Sequence, residues 1–101
     1  MTEVRHNPDE SRYEAVVDGE VAGYAAYQLA DRIIVFTHTE VDRAYEGQGI
    51  GSVLAQAALD DVRRDGKRQV LPLCPFISAW IGRHPDYADL VYGAPESTAR
   101  D

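Results

Sequence analysis

The strongest constraint on this chain is local. An apolar strand, Ile33 to Val41, leads through a short polar stretch into Gly47-Gln48-Gly49-Ile50-Gly51-Ser52, and a segment of helical period begins at Ile50. Glycines on alternate positions let the backbone turn sharply and leave its N–H groups uncovered by side chains. Those N–H groups, with the positive end of the helix dipole, form a site for a phosphate-bearing ligand. Gly47, Gln48, Gly49, Ile50, Gly51 and Ser52 are therefore the candidate cofactor-binding loop. The competing reading is a strand-to-helix turn that needs glycine and binds nothing.

The loop also sets the topology around it. Ile50, Val53, Leu54, Ala57, Ala58 and Val62 fall on one helical face, Arg63 and Arg64 suit the negative end of the dipole, and Gly66 is a natural stop. A short strand, Gln69 to Leu73, must then lie parallel to Ile33–Val41, because a helix crosses between them. Phe76 to Arg83 reads as a second short helix ended by Pro85, with Ile77, Trp80 and Ile81 as core, and Asp86 to Tyr92 as a helical turn or short strand. Upstream, Tyr13 to Val17 alternates, Asp18-Gly19 signals a hairpin, and Val21 to Leu29 returns with a weak point or bulge at Gly23. The expectation is an α+β fold: an antiparallel three-stranded meander joined to a βαβ unit and a second short helix. One domain, residues 1–101, is expected, with 1–11 and 94–101 loose.

Charge narrows the partners. The net charge is −7, which disfavours nucleic acid, since phosphate neutralisation needs clustered Lys and Arg. An acidic surface suits a cationic acceptor such as an amine, although acidic surfaces also simply keep small proteins soluble. No run approaches the ~18 apolar residues of a membrane span, so no membrane partner is expected. The single cysteine gives no internal disulfide, which makes the cytoplasm the expected compartment.

Spacing separates three kinds of phosphate loop. A P-loop needs Lys-Ser/Thr after its last glycine, but Gly51 is followed by Ser52-Val53. A dinucleotide fingerprint needs G-x-G-x-x-G, and this loop is one residue short. Glu46-Gly47-Gln48-Gly49-Ile50-Gly51 instead follows Q/R-x-x-G-x-G/A except at its first position. Thr37-His38-Thr39-Glu40-Val41 precedes the glycines; Pro72-Leu73-Cys74-Pro75-Phe76 and Arg83-His84-Pro85-Asp86-Tyr87 follow them. In order and spacing these blocks resemble a family of small, single-domain GNAT-type N-acetyltransferases, from about Tyr13 to Val91.

That resemblance implies a truncated GNAT-like fold, acetyl-CoA as co-substrate, no metal, and an amine-bearing small molecule or protein as acetyl acceptor. Larger relatives carry further N-terminal helices and C-terminal strands, for which 101 residues leave no room; a monomer, or a homodimer supplying an acceptor wall, is expected. The alternative is a non-catalytic CoA-binding module acting through a protein partner. The resemblance sets the pantetheine arm beside Thr39, Glu40 and Val41, with the acetyl group near the ends of the two parallel strands. His38 and Cys74 lie at those ends. Cys74, held extended by Pro75 at a helix start, is a candidate nucleophile or acetyl-orienting thiol; the bland reading is a small buried hydrophobe. His38 is a candidate general base or a core histidine. Alternation puts His38 and Glu40 on one strand face, Thr37, Thr39 and Val41 on the other. Glu40 is a base if burial raises its pKa, and otherwise a solvated strand end. Tyr87 is the candidate acid for the departing thiolate, or part of a turn. Lys67 and Arg83 are candidates for reaching the phosphates, and Glu46, where relatives carry Gln or Arg, must point away from them or cap a backbone N–H.

Overall fold

The computed structural model describes residues 2–93. Five strands form one sheet in chain order: β1 (Thr2–Asn7), β2 (Arg12–Val17), β3 (Glu20–Ala30), β4 (Ile33–Val41) and β5 (Gln69–Pro72). The first four are antiparallel and β5 runs parallel to β4, as the crossover helix α1 (Ile50–Asp65) requires. Helix α2 (Pro75–Arg83) and a 3-10 segment (Pro85–Leu90) complete the described chain, with Val91 bridging Val70.

The expected loose arm is a correction. Residues 2–7 pair with β2 along their whole length, so the meander has four strands, not three. Glu3, Arg5 and Asn7 make the segment look solvated, but alternation needs only one face to be apolar, and an edge strand tolerates polar residues on the other. The 94–101 expectation lies outside the described residues.

The hairpin at Asp18-Gly19 forms with both residues left-handed (φ 51° and 82°), the geometry a two-residue turn needs to match strand twist. A bulge falls beside Gly23, whose lack of a side chain is required: a Cβ there would sit 2.7 Å from the Glu40 carbonyl oxygen. Helix α1 is seated differently from expectation. It buries Ile50, Leu54, Ala55, Ala58, Leu59 and Val62, and leaves Val53 at 38% exposure. The buried face is turned toward Gly51 because the Phe76 ring of α2 fills the space where a Gly51 side chain would be. One core results, centred on Phe36, Leu54, Leu59, Val70, Ile77 and Trp80.

Candidate functional site

β4 and β5 pair only as far as Phe36 and Pro72. The last link is the Cys74 N–H donating to the Phe36 carbonyl at 2.9 Å. Beyond it the strands part. Pro72 and Pro75 bracket this point: neither has an N–H to continue a ladder, and Pro75 instead opens α2.

At the same place β4 changes its own facing. Phe36 lies opposite Tyr27 and His38 opposite Ala26, so Thr37 is the extra residue of a bulge. A bulge shifts the alternation by one. Thr39 and Val41 thereby join Phe36 on the helix-covered face, while His38 and Glu40 turn to the opposite face. The contacts agree: Val41 packs on the core, Thr39 Oγ1 lies 3.3 Å from Cys74 Sγ, and the His38 and Glu40 side chains are 58% and 61% exposed. The Asp42 N–H donates to Ala22 on β3 at 2.7 Å. Alternation from that bond points the N–H and C=O of Thr39 and Val41 into the gap left by β5, where among the described residues they have no backbone partner.

The glycine loop closes one end of this gap. Asp42 caps the 3-10 turn Arg43–Tyr45 by accepting from the Ala44 N–H at 2.9 Å. Glu46 follows in extended backbone, exposed. Gly47 and Gly49 are left-handed (φ 83° and 76°), and nothing lies within 4 Å of where a Cβ would stand on either. Gly49 is the N-cap of α1 without any side-chain cap. The first N–H of the helix bonded within the loop and helix is that of Val53, to the Gly49 carbonyl at 3.1 Å. The N–H groups of Ile50, Gly51 and Ser52 are therefore available, as helix starts leave them. Gly51 differs from its neighbours: its glycine requirement is packing, with Phe76 Cζ 2.8 Å from an added Cβ. The Ser52 hydroxyl accepts from Trp80 Nε1 at 2.9 Å, tying α2 to the loop.

The remaining expected residues divide. His38 Nε2 and Glu40 Oε1 are 3.0 Å apart, and the Tyr24 hydroxyl donates to the same Glu40 oxygen at 3.4 Å. Bonding to His38 and Tyr24 holds the Glu40 carboxyl below its ordinary pKa. Of the two readings of Glu40, the structure matches the solvated strand end: the side chain is exposed and bonds His38. Cys74 is buried at 2% exposure and lies on the other face of the sheet from His38, so the two do not form a nucleophile–base pair. Tyr87 donates to Asp60 Oδ1 at 2.7 Å, with its ring edge on Trp80 and the Arg63 guanidinium over it. That bond raises its pKa, and among the described residues its hydroxyl is bonded to Asp60, not to Thr39 or Cys74. Lys67 lies beyond the far end of α1, about 24 Å of helix from the glycines at 1.5 Å per residue. Arg83 ends α2, exposed.

Sequence reasoning missed Tyr24 and Arg12, which sit beside His38 and Glu40. Arg12 stacks its guanidinium 4.7 Å from the Tyr24 ring and donates to the buried Glu14 at 2.8 Å. The alternation of β2 and β3 put them on one face, but only the bulge at Thr37 brings His38 to that face.

The chain is similar to known proteins in sequence and in fold. A family model described as GCN5-related N-acetyl-transferase matches residues 12–90. The Protein NATD1 sequences of chicken (Gallus gallus) and human (Homo sapiens) are 39% identical over 57 residues, 56% of this chain. The chain spans about half the length of these curated relatives, 51% and 50%. Among solved structures, a GCN5-like N-acetyltransferase candidate from Staphylococcus aureus superposes with a TM-score of 0.68 at 20% identity, covering 98% of this chain and 96% of that one. The ribosomal-protein-S18-alanine N-acetyltransferase of Escherichia coli gives 0.56 at 21% identity, over 60% of this chain and 39% of that one. These structural likenesses show the shared fold, and with the family match they fix the assignment: the chain belongs to the GCN5-related N-acetyl-transferase family.

Proposed function

We propose that this protein binds acetyl-CoA and transfers its acetyl group to a primary amine. The observation that carries the reading is the parting of β4 and β5 after Phe36, at a bulge that leaves backbone groups of Thr39 and Val41 facing an open gap. An extended amide-bearing arm such as pantetheine completes such a gap as an added strand. The uncapped start of α1 and the open left-handed backbone at Gly47 and Gly49 suit its pyrophosphate.

The two faces of β4 then do different work. Thr39 and Cys74, on the helix side, line the wall against which the donor lies. His38, held by Glu40, stands on the uncovered side, open to a cationic amine drawn by the net charge of −7. His38 takes a proton from the ammonium; the neutral amine forms the N–C bond, a β4 N–H steadies the oxyanion, and the C–S bond breaks as the departing thiolate takes up the proton that the attacking nitrogen releases.

Thermal unfolding tests the binding. Acetyl-CoA at about 100 times its Kd should add roughly 2.7 kcal/mol, and Gly49→Val should remove that gain. No shift at millimolar acetyl-CoA overturns the reading. Amine-dependent release of CoA then separates a transferase from a protein that only binds the nucleotide.

A further inference from the structure

At the end of α1 away from the glycine loop, a cavity of about 450 Å3 opens between helix and sheet, the size of a small-molecule site. Tyr13, Tyr27, Ile34 and Val62 form its buried floor. Leu29 stands beside it at 53% exposure, apolar surface that a ligand would cover.

The walls are held from four elements. His6 of β1 lies flat on Tyr13, centroids 4.3 Å apart and 9° between planes, and bonds the Tyr27 hydroxyl at 2.6 Å. Tyr13 donates to Asp61 Oδ2 at 2.7 Å, and Arg64 to Asp61 Oδ1 at 3.0 Å. Asp61 is thus occupied on both oxygens. Burial works against its charge, but the two bonds win and keep its pKa low. A cavity with rigid aromatic walls loses little entropy when filled.

Its mouth carries two arginines, Arg64 and Arg68, against two carboxylates, Asp61 and Asp65. Arg68 is anchored only through Nε, on the Asp31 carbonyl at 3.1 Å, and Arg64 through one Nη. Among the described residues, their remaining N–H groups have no protein partner. The helix dipole accounts for Arg64, but Arg68 lies past the helix end. Arg32 and Lys67 stand on the adjoining turns, as does Asp31, and the guanidinium edge of Arg68 meets no carboxylate among the described residues. Of the two lining carboxylates, Asp65 has no hydrogen-bond partner among the described residues.

We propose that this cavity binds a small organic carboxylate with an aromatic or branched aliphatic body. The body would cover Leu29 and Ile34 against the Tyr27 ring, and the carboxylate would take the free edge of Arg68, with Arg64 beside it. The site is separate from the glycine loop and stands whatever that loop binds.

Amide-resolved NMR titration with sodium phenylacetate, up to about 10 mM, tests this on the intact chain. Saturable shifts are expected around Leu29, Ile34, Val62 and Arg68, with Gly47–Ser52 unmoved. Phenylacetamide, the same body without the charge, should bind about tenfold or more weaker, the worth of a charge-assisted bond. Arg68→Met keeps the side-chain stem and should weaken phenylacetate as much. No saturation by the top concentration, equal binding of the amide, or unchanged affinity in Arg68→Met overturns the proposal. The amide comparison uses the native protein and decides even if the variant is unfolded.

Discussion

The first half of β4, Ile33–Phe36, and its second half, Thr37–Val41, are one strand under two sets of constraints. The first half is paired on both sides, and it buries Ile34 and Phe36 in the core. The second is paired on one side only, faces a gap, and carries an exposed His38–Glu40 pair. The first half is fixed by packing, the second by what it must leave unsatisfied. Backbone groups at the edge of a sheet are a liability unless something pairs with them, and a site that recruits its ligand as a strand needs that liability kept open.

This division predicts opposite responses to substitution. Phe36→Ala should cost about 3–5 kcal/mol, a large part of the 5–15 kcal/mol typical of a small domain, read by urea unfolding. His38→Gln should leave stability within about 0.5 kcal/mol, as exposed sites do, yet lower amine-dependent turnover by about 10²–10⁴ if the imidazole is the base. A His38 variant that unfolds with the Phe36 variant, or that turns over at full rate, breaks the comparison.

The glycines sharpen it. Gly49 bounds open space, whereas Gly51 is filled by Phe76. Gly51→Ala should force α2 away from the loop and cost about 1–3 kcal/mol by overpacking. Phe76→Leu should recover part of that cost in a double-mutant cycle, because the two side chains share one space. Additivity of the two changes would mean that Phe76 is not what requires glycine at this position.

An effect of the same size, but dependent on pH, is expected on the uncovered face, at Glu14. Its side chain is buried, and bonds from Arg12, then Asn7 and Arg5, hold its pKa below the ordinary 4.5. A depressed folded-state pKa contributes stability that is fully present above the unfolded value and is lost as pH falls through the folded one. Glu14→Gln should therefore cost about 1–3 kcal/mol near neutral pH, and the gap between native and variant should narrow as the pH drops below the ordinary carboxylate range. A gap that is constant with pH would show that Glu14 acts by shape rather than charge.

How much of this was legible depended on whether the information was local. The glycine loop, the parallel placement of β5, the Asp18-Gly19 turn and the core role of Trp80 were readable, because each follows from a few adjacent residues. β1 was not: its partners lie in β2, and nothing within Thr2–Asn7 announces them. The bulge at Thr37 was invisible for the same reason, since it is a mismatch of register between two strands. Alternation did group His38 with Glu40 and Thr39 with Val41. It could not say which pair would share a face with Phe36, and that decides which residues meet Cys74.

Cys74 carries the smallest effect expected on activity. Its thiol is buried, its N–H is spent on Phe36, and its sulfur meets Thr39 rather than an imidazole. A thiol nucleophile needs a base or an electropositive neighbour to become a thiolate, and the bulge has placed His38 on the other side of the sheet. Exchange of one thioester for another would also gain little free energy, while a donor lying in the β4–β5 gap is already positioned for the amine. Cys74→Ala should therefore keep turnover within about tenfold, less than ~1.4 kcal/mol on the barrier, with about 1 kcal/mol lost from stability. Intact mass after mixing with acetyl-CoA alone should show no stoichiometric acetyl adduct. An adduct on Cys74 that forms and decays at the turnover rate would overturn direct attack. It would also require Thr39 to move, because its hydroxyl lies 3.3 Å from the buried sulfur.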